Sequence, residues 1–217
     1  MNHWSPKLSR VVDWATGLLV VLGLILGAQR LRALLSPTAT TRTLNSSAPN
    51  WHEYTEDSFS VGPENAPVTL VEFSDYACTY CKQMAPILRQ ARDEMGSKLR
   101  FVYRSALLRP ESRAAAIATV CADRAGIAVA VHDALFESGG AMPSEGAVGL
   151  AAKLGVTDTL QFRQCLSSTW AESAVSKDSS ATQRLGVRGT PTFLINGKLV
   201  EGSMSISDLK KLIRSSY

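Results

Sequence analysis

VTLVEFSDYACTYCKQMAPIL, residues 68–88, decides how the chain is read. Its first seven residues, VTLVEFS, are β-branched and apolar and predict a buried strand. A short cysteine-bearing turn follows, and a helical pattern opens at Cys78-Thr79-Tyr80-Cys81. A thiol at a helix N-terminus meets the positive end of the helix dipole and free backbone N–H groups, which favour the thiolate. The thiolate is the attacking species in disulfide exchange. A second cysteine one turn further in is placed to attack the mixed disulfide and release the product.

Zinc sites use the same Cys-X-X-Cys spacing but need further ligands close by. The other two cysteines, Cys121 and Cys165, are far off in sequence, and no histidine adjoins any of the four. No metal or cofactor is expected. Glu72 lies inside the apolar strand, where a buried carboxylate would accept or relay the proton of Cys81; the alternative is an edge strand with Glu72 facing water. Gly189-Thr190-Pro191-Thr192-Phe193 brings a proline into a strand, where a cis bond would make a tight, exposed turn and a trans bond an ordinary strand start.

Further out, LRFVYR (99–104) predicts a second strand, and residues 111–185 read as an all-helical insertion, Ala-rich with helical apolar spacing. Cys121 and Cys165 are expected to bond to each other and staple this insertion, the alternative being two buried free thiols. His132 and Asp133, adjacent on a helix, point in different directions and do not form a catalytic pair. TFLING and KLVEG (192–202) predict a hairpin about Asn196-Gly197, and Ser207 is a candidate cap for a last helix.

Of the 23 basic and 19 acidic side chains, residues 1–50 hold five basic and one acidic, leaving eighteen of each in residues 51–217. The main domain is neutral overall, so net charge gives no footprint for nucleic acid. Fifteen uncharged, mostly apolar residues run from Trp14 to Ala28. Alone they would rise only about 22 Å as a helix, short of the roughly 30 Å hydrocarbon core. Neighbouring apolar residues lengthen the run, and flanking arginines can snorkel. No small-residue cleavage site follows closely, which favours an anchor over a signal segment. The organisation expected is a short cytoplasmic stretch (1–10), a transmembrane anchor or signal segment (11–35), a flexible linker rich in Ser, Thr and Pro (36–50), and a folded domain (51–217).

The runs VEFSDYACTYCKQMAPIL and GVRGTPTFLINGKLVEG together resemble the DsbA-like thiol:disulfide oxidoreductases of the thioredoxin-like superfamily, over roughly residues 56–217. The resemblance implies a thioredoxin-like α/β fold with an all-helical insertion. Cys78 would be the exposed nucleophile, Cys81 the buried resolving thiol and Glu72 the buried acid. Pro86 would kink the active-site helix, and Thr190-Pro191 would form a cis-proline loop that binds substrate backbone. It further implies a catalytic domain on the extracytoplasmic side of a bacterial membrane, exchanging disulfides with exported proteins. The redox partner would be a quinone-linked oxidase or a membrane reductant. Thr79-Tyr80 stands where the strong oxidants of that family carry Pro-His, which leaves the direction of electron flow open between an oxidant and a reductase or isomerase. A non-catalytic binding module or chaperone is the reading from another class.

Overall fold

The computed structural model describes residues 19–24, 27, 42–140, 142 and 146–217. The chain divides into two compact units, residues 1–38 and 39–217. Of the expected anchor over 11–35, only residues 19–24 and 27 are described, all helical and exposed, and the rest lies outside the described residues. No described helix is long and apolar enough to cross a membrane.

The second unit is built on a six-stranded sheet in the order β1-β6-β5-β3-β4-β2. Its strands are β1 (Arg42–Ser47), β2 (Ser60–Val61), β3 (Val68–Ser74), β4 (Leu99–Ser105), β5 (Thr192–Ile195) and β6 (Lys198–Glu201). β3 is central, parallel to β4 and antiparallel to β5, and every one of its residues is buried. Covered on both faces, it needs the continuous apolar run that marks it in the sequence. The β5–β6 hairpin turns on Asn196 and Gly197, with φ of 43° and 86°, the left-handed pair that a two-residue turn requires. The Asn196 side chain also locks the turn in place, accepting from Thr69 N at 2.8 Å and donating to Ser216 O at 2.9 Å.

Helix α1 (Thr79–Met95) follows β3, with Pro86 inside it. The insertion comprises α2 (Arg113–Arg124), α3 (Ala128–Glu137), α4 (Gly146–Lys153), α5 (Thr159–Leu166) and α6 (Thr169–Arg184). Helix α7 (Ile206–Arg214) closes the unit; it is capped by Ser205, which accepts from Asp208 N at 3.1 Å, and not by Ser207. Ser207 falls inside the first turn, too late to leave the helix N-terminus free.

Period-two alternation sends Val68 and Leu70 into a core with Met84, Leu88, Phe101 and Phe193, beneath α1 and α7. Val71 and Phe73 point to the other face, against Val102, Leu194 and Ala181. A third core lies within the insertion and takes in Tyr76, Cys78 and Cys81.

One difference from the sequence reading concerns residues 36–50. A strand, β1, arises within the expected linker and pairs antiparallel with β6, so the folded unit begins before Trp51. Strand addition at a sheet edge is secured by main-chain hydrogen bonds, which a segment poor in apolar side chains makes as well as any other.

Candidate active site

Cys78 is the N-cap of α1, with Thr79 the first helical residue. Its sulfur accepts from Cys81 N at 3.4 Å and lies 3.2 Å from the Thr190 carbonyl oxygen, to which the thiol donates. The Thr190–Pro191 bond is cis, and its loop thus stands directly beside the first cysteine. Both thiols are free. Cys78 is only 3% exposed, against the expectation of an exposed nucleophile. The sulfur turns inward to these partners, while the neighbouring Tyr80 is 58% exposed.

The two thiols sit in opposite fields. The Cys81 side chain and the Thr190 side chain, together with the backbone N–H groups of Cys81 and Tyr80, outweigh burial and bring the Cys78 pKa down to about 5. The helix N-terminus supplies without an imidazole what the Thr-Tyr dipeptide lacks. Burial pushes the Cys81 thiol up, and proximity to Cys78 adds to the rise.

Glu72 is wholly buried in the centre of β3, so the water-facing alternative does not hold. The alternation of β3 puts its side chain on the α1 side of the sheet, level with Tyr103 of β4 and Phe193 of β5. Burial raises its pKa to about 8, with Ser74 acting to lower it. Neither carboxylate oxygen makes a hydrogen bond of ordinary geometry. Glu72 and Cys81 thus share one side of the sheet without a direct hydrogen bond.

The turn that presents Cys78 is built by residues to which sequence reasoning gave no role. Buried Asp75 accepts from Ala77 N and Arg109 N, each at 2.9 Å, and from the Ser112 hydroxyl; its carbonyl accepts from Cys78 N at 2.9 Å. An aspartate capturing the N–H two residues on is an Asx turn, a signal that Asp75 before Ala77 does carry. Tyr76 reaches into the insertion, its hydroxyl 2.7 Å from Thr119 Oγ1 and 3.0 Å from His132 Nδ1. His132 is buried among Phe59, Tyr76, Tyr103 and Phe136, and burial drops its pKa to about 3. It is a neutral structural side chain. The adjacent Asp133 turns away to Arg89 and Arg92. Gly140, with φ of 83°, packs so closely that a Cβ would fall 1.6 Å from the Tyr76 carbonyl oxygen.

In the insertion, Cys121 of α2 and Cys165 of α5 are joined by a disulfide. A cleft of about 500 Å³ lies over this bond, lined by Arg124, Phe162 and Trp170 among others, and neither Cys78 nor Cys81 borders it. Among the described residues no group of three His, Cys, Asp or Glu side chains is placed to hold a metal ion.

A thiol pair at the start of a helix, a cis-proline loop against it and a buried acid below are assembled on a sheet whose centre is β3. The family model described as thioredoxin matches residues 54–215. The chain belongs to the thioredoxin family. In fold the chain is similar to the thiol-disulfide exchange protein alpha-DsbA2 of Wolbachia pipientis, which superposes with a TM-score of 0.69 at 21% identity, covering 77% of this chain and 92% of that one. Disulfide bond formation protein D of Bacillus subtilis is 27% identical over 165 residues, 70% of this chain and 74% of its own length. A Na(+)/H(+) antiporter NhaA 1 of Salinispora arenicola is 31% identical over 159 residues, 72% of this chain. The thioredoxin-family chain spans about a quarter of that antiporter's length, 24%.

Proposed function

We propose that the chain is an extracytoplasmic thiol:disulfide oxidoreductase that donates its Cys78–Cys81 disulfide to exported proteins. The observation that carries this is the asymmetry of the thiols: Cys78 is held as the better leaving group and nucleophile at about pKa 5, while Cys81 is held protonated. In the oxidising direction a substrate thiolate attacks the Cys78 sulfur, the Cys78–Cys81 bond breaks, and the Cys81 sulfur leaves. Cys81 takes up a proton, and Glu72, protonated at neutral pH with a pKa of about 8, is the acid on that side of the sheet. A second substrate thiolate then attacks the substrate sulfur of the mixed disulfide, which forms the substrate disulfide and releases Cys78 as a thiolate. The two electrons leave through a membrane partner, a quinone-linked oxidase in this direction. Thr190 and Pro191 bind substrate backbone beside Cys78.

Stabilising the released thiolate favours the reduced enzyme and hence oxidation of the client. The name of the Bacillus subtilis relative, disulfide bond formation protein D, supports disulfide formation as the task. The disulfide between Cys121 and Cys165 supports an oxidising compartment, and the apolar run at the N-terminus supports tethering to the bacterial membrane. Equilibration of the full chain with glutathione tests the direction. A potential nearer about −120 mV than about −270 mV is expected. A value at the reducing end would assign the same site to a reductase or isomerase served by a membrane reductant.

A further inference from the structure

Ser112 stands at the N-cap of α2, the position from which a serine hydroxyl ordinarily accepts an N–H of its own helix. Asp158, Ser168 and Ser205 do so for α5, α6 and α7. Ser112 makes no such bond. Its residue is only 1% exposed, and its hydroxyl turns from α2 to the segment before Cys78, where it donates to Asp75 Oδ1 and accepts from Ala77 N at 3.1 Å. A contact that would serve the helix is given instead to the thiol-bearing turn, 35 residues earlier in the chain.

The same turn is held at further points. Asp75 takes the N–H groups of Ala77 and Arg109 through its carboxylate and that of Cys78 through its carbonyl. One residue on, the Tyr76 hydroxyl meets Thr119 Oγ1 at 2.7 Å, so α2 grips the turn from both Ser112 and Thr119. These bonds fix the backbone of residues 75–78 and thereby the direction in which the Cys78 side chain leaves it, since a side chain has only a few staggered positions to choose from. That direction brings Sγ to Cys81 N at 3.4 Å and to the Thr190 carbonyl oxygen at 3.2 Å. The charged side chains of the network are Asp75 and Arg109, whose Nη1 lies 3.9 Å from Asp75 Oδ1. Facing Cys78 itself are Cys81 from α1 and the uncharged Thr190 from the cis-proline loop.

We propose that Asp75 and Ser112 are positioning residues for Cys78: by locking the turn to the first helix of the insertion, they keep the Cys78 sulfur aimed at the N–H of Cys81. The proposal rests on the oxidoreductase reading above, in which Cys78 leaves the mixed disulfide as a thiolate. A turn released from α2 would leave the sulfur without that donor as it takes the bonding pair.

Two readouts on the full chain test this. One is the pH profile of Cys78 alkylation. The other is equilibration with glutathione, in which the Cys78–Cys81 disulfide and two glutathione thiols exchange for the reduced pair and glutathione disulfide. Ser112→Ala is expected to raise the alkylation midpoint by about half a pH unit and Asp75→Ala by about one. Asp75→Ala should also shift the equilibrium about tenfold toward the enzyme disulfide, which is about 30 mV. Asp75→Asn removes the same charge but keeps an oxygen for Ala77 N, so its midpoint should stay below that of Asp75→Ala. Ser168→Ala, which removes a true N-cap from the same insertion, should lower the urea midpoint and leave the Cys78 profile in place. Wild-type alkylation midpoints in folded Ser112→Ala and Asp75→Ala variants would overturn the proposal. So would a Ser168→Ala profile displaced as far as that of Ser112→Ala, which marks general loosening of the insertion. If Asp75→Ala does not fold, Ser112→Ala against Ser168→Ala decides. A wild-type disulfide that never equilibrates with glutathione would instead refute the oxidoreductase reading, and the alkylation midpoints would still decide whether Asp75 and Ser112 position Cys78.

Discussion

The thiols of Cys78 and Cys81 lie one helical turn apart, and what separates them is which backbone they meet. Cys78 caps the helix and collects N–H groups, whereas Cys81 is enclosed by the insertion core. A thiol whose folded pKa lies below its unfolded value contributes stability that is complete above the unfolded pKa, near 9, and is lost as pH falls through about 5. The reduced form should therefore lose stability between these limits on acidification, and the alkylation rate of Cys78 should titrate near pH 5; a midpoint near 9 would remove the basis for its role. Cys78→Ala should abolish exchange, and Cys81→Ala should accumulate mixed disulfides with client proteins on non-reducing gels. The pair could be found from sequence because spacing and a helix start are local signals. Tyr76 and Ser112 escaped because they act through partners 35 to 56 residues away, a distance at which sequence has no period to offer, whereas Asp75 carries a local Asx-turn signal beside its contact with Arg109 N 34 residues on.

At the scale of elements, α1 joins two cores. Its first turns pack into the insertion through Cys81 and Ala85, and Met84, Leu88 and Ala91 pack onto the sheet. A second junction is the buried pair of Arg104 on β4 and Asp178 on α6, 2.7 Å apart. Arg104 also donates to the carbonyls of Tyr54 and Glu56, and Asp178 accepts from Ser105 N and the Ser58 hydroxyl. The pair thus ties the insertion to the segment before β2. Arg104→Met should leave Asp178 buried without its counter-charge and cost about 3–5 kcal/mol in urea unfolding. Adding Asp178→Leu should recover much of that loss, and failure of the second change to help would show that Arg104 acts through its carbonyl contacts instead. The strand at 68–74 was legible because a buried strand is a largely continuous apolar run, and that at 99–105 through its apolar centre Phe101-Val102-Tyr103. β1 was not, since its pairing with β6 draws on backbone groups that every sequence shares.

Over the whole molecule, the insertion is the part whose position depends most on cross-links. The Cys121–Cys165 bond spans 44 residues, and a loop of that length is stabilised by about 4 kcal/mol in the chain-entropy account. The double variant Cys121→Ser with Cys165→Ser should lose stability of that order, measured by its urea midpoint, while the alkylation profile of Cys78 stays in place; a profile that moved would tie the insertion bond to the active thiols. The helical character of residues 111–185 was readable from spacing alone, but how those helices seat on the thiol-bearing turn was not, because that is decided at single points of backbone contact. Gly140 against the Tyr76 carbonyl is such a point. Under random mutation of the gene, Gly186, also at positive φ but facing open space, can drift to asparagine at small cost, whereas position 140 admits no side chain of any kind. The docking of the insertion is in that respect a one-letter lock.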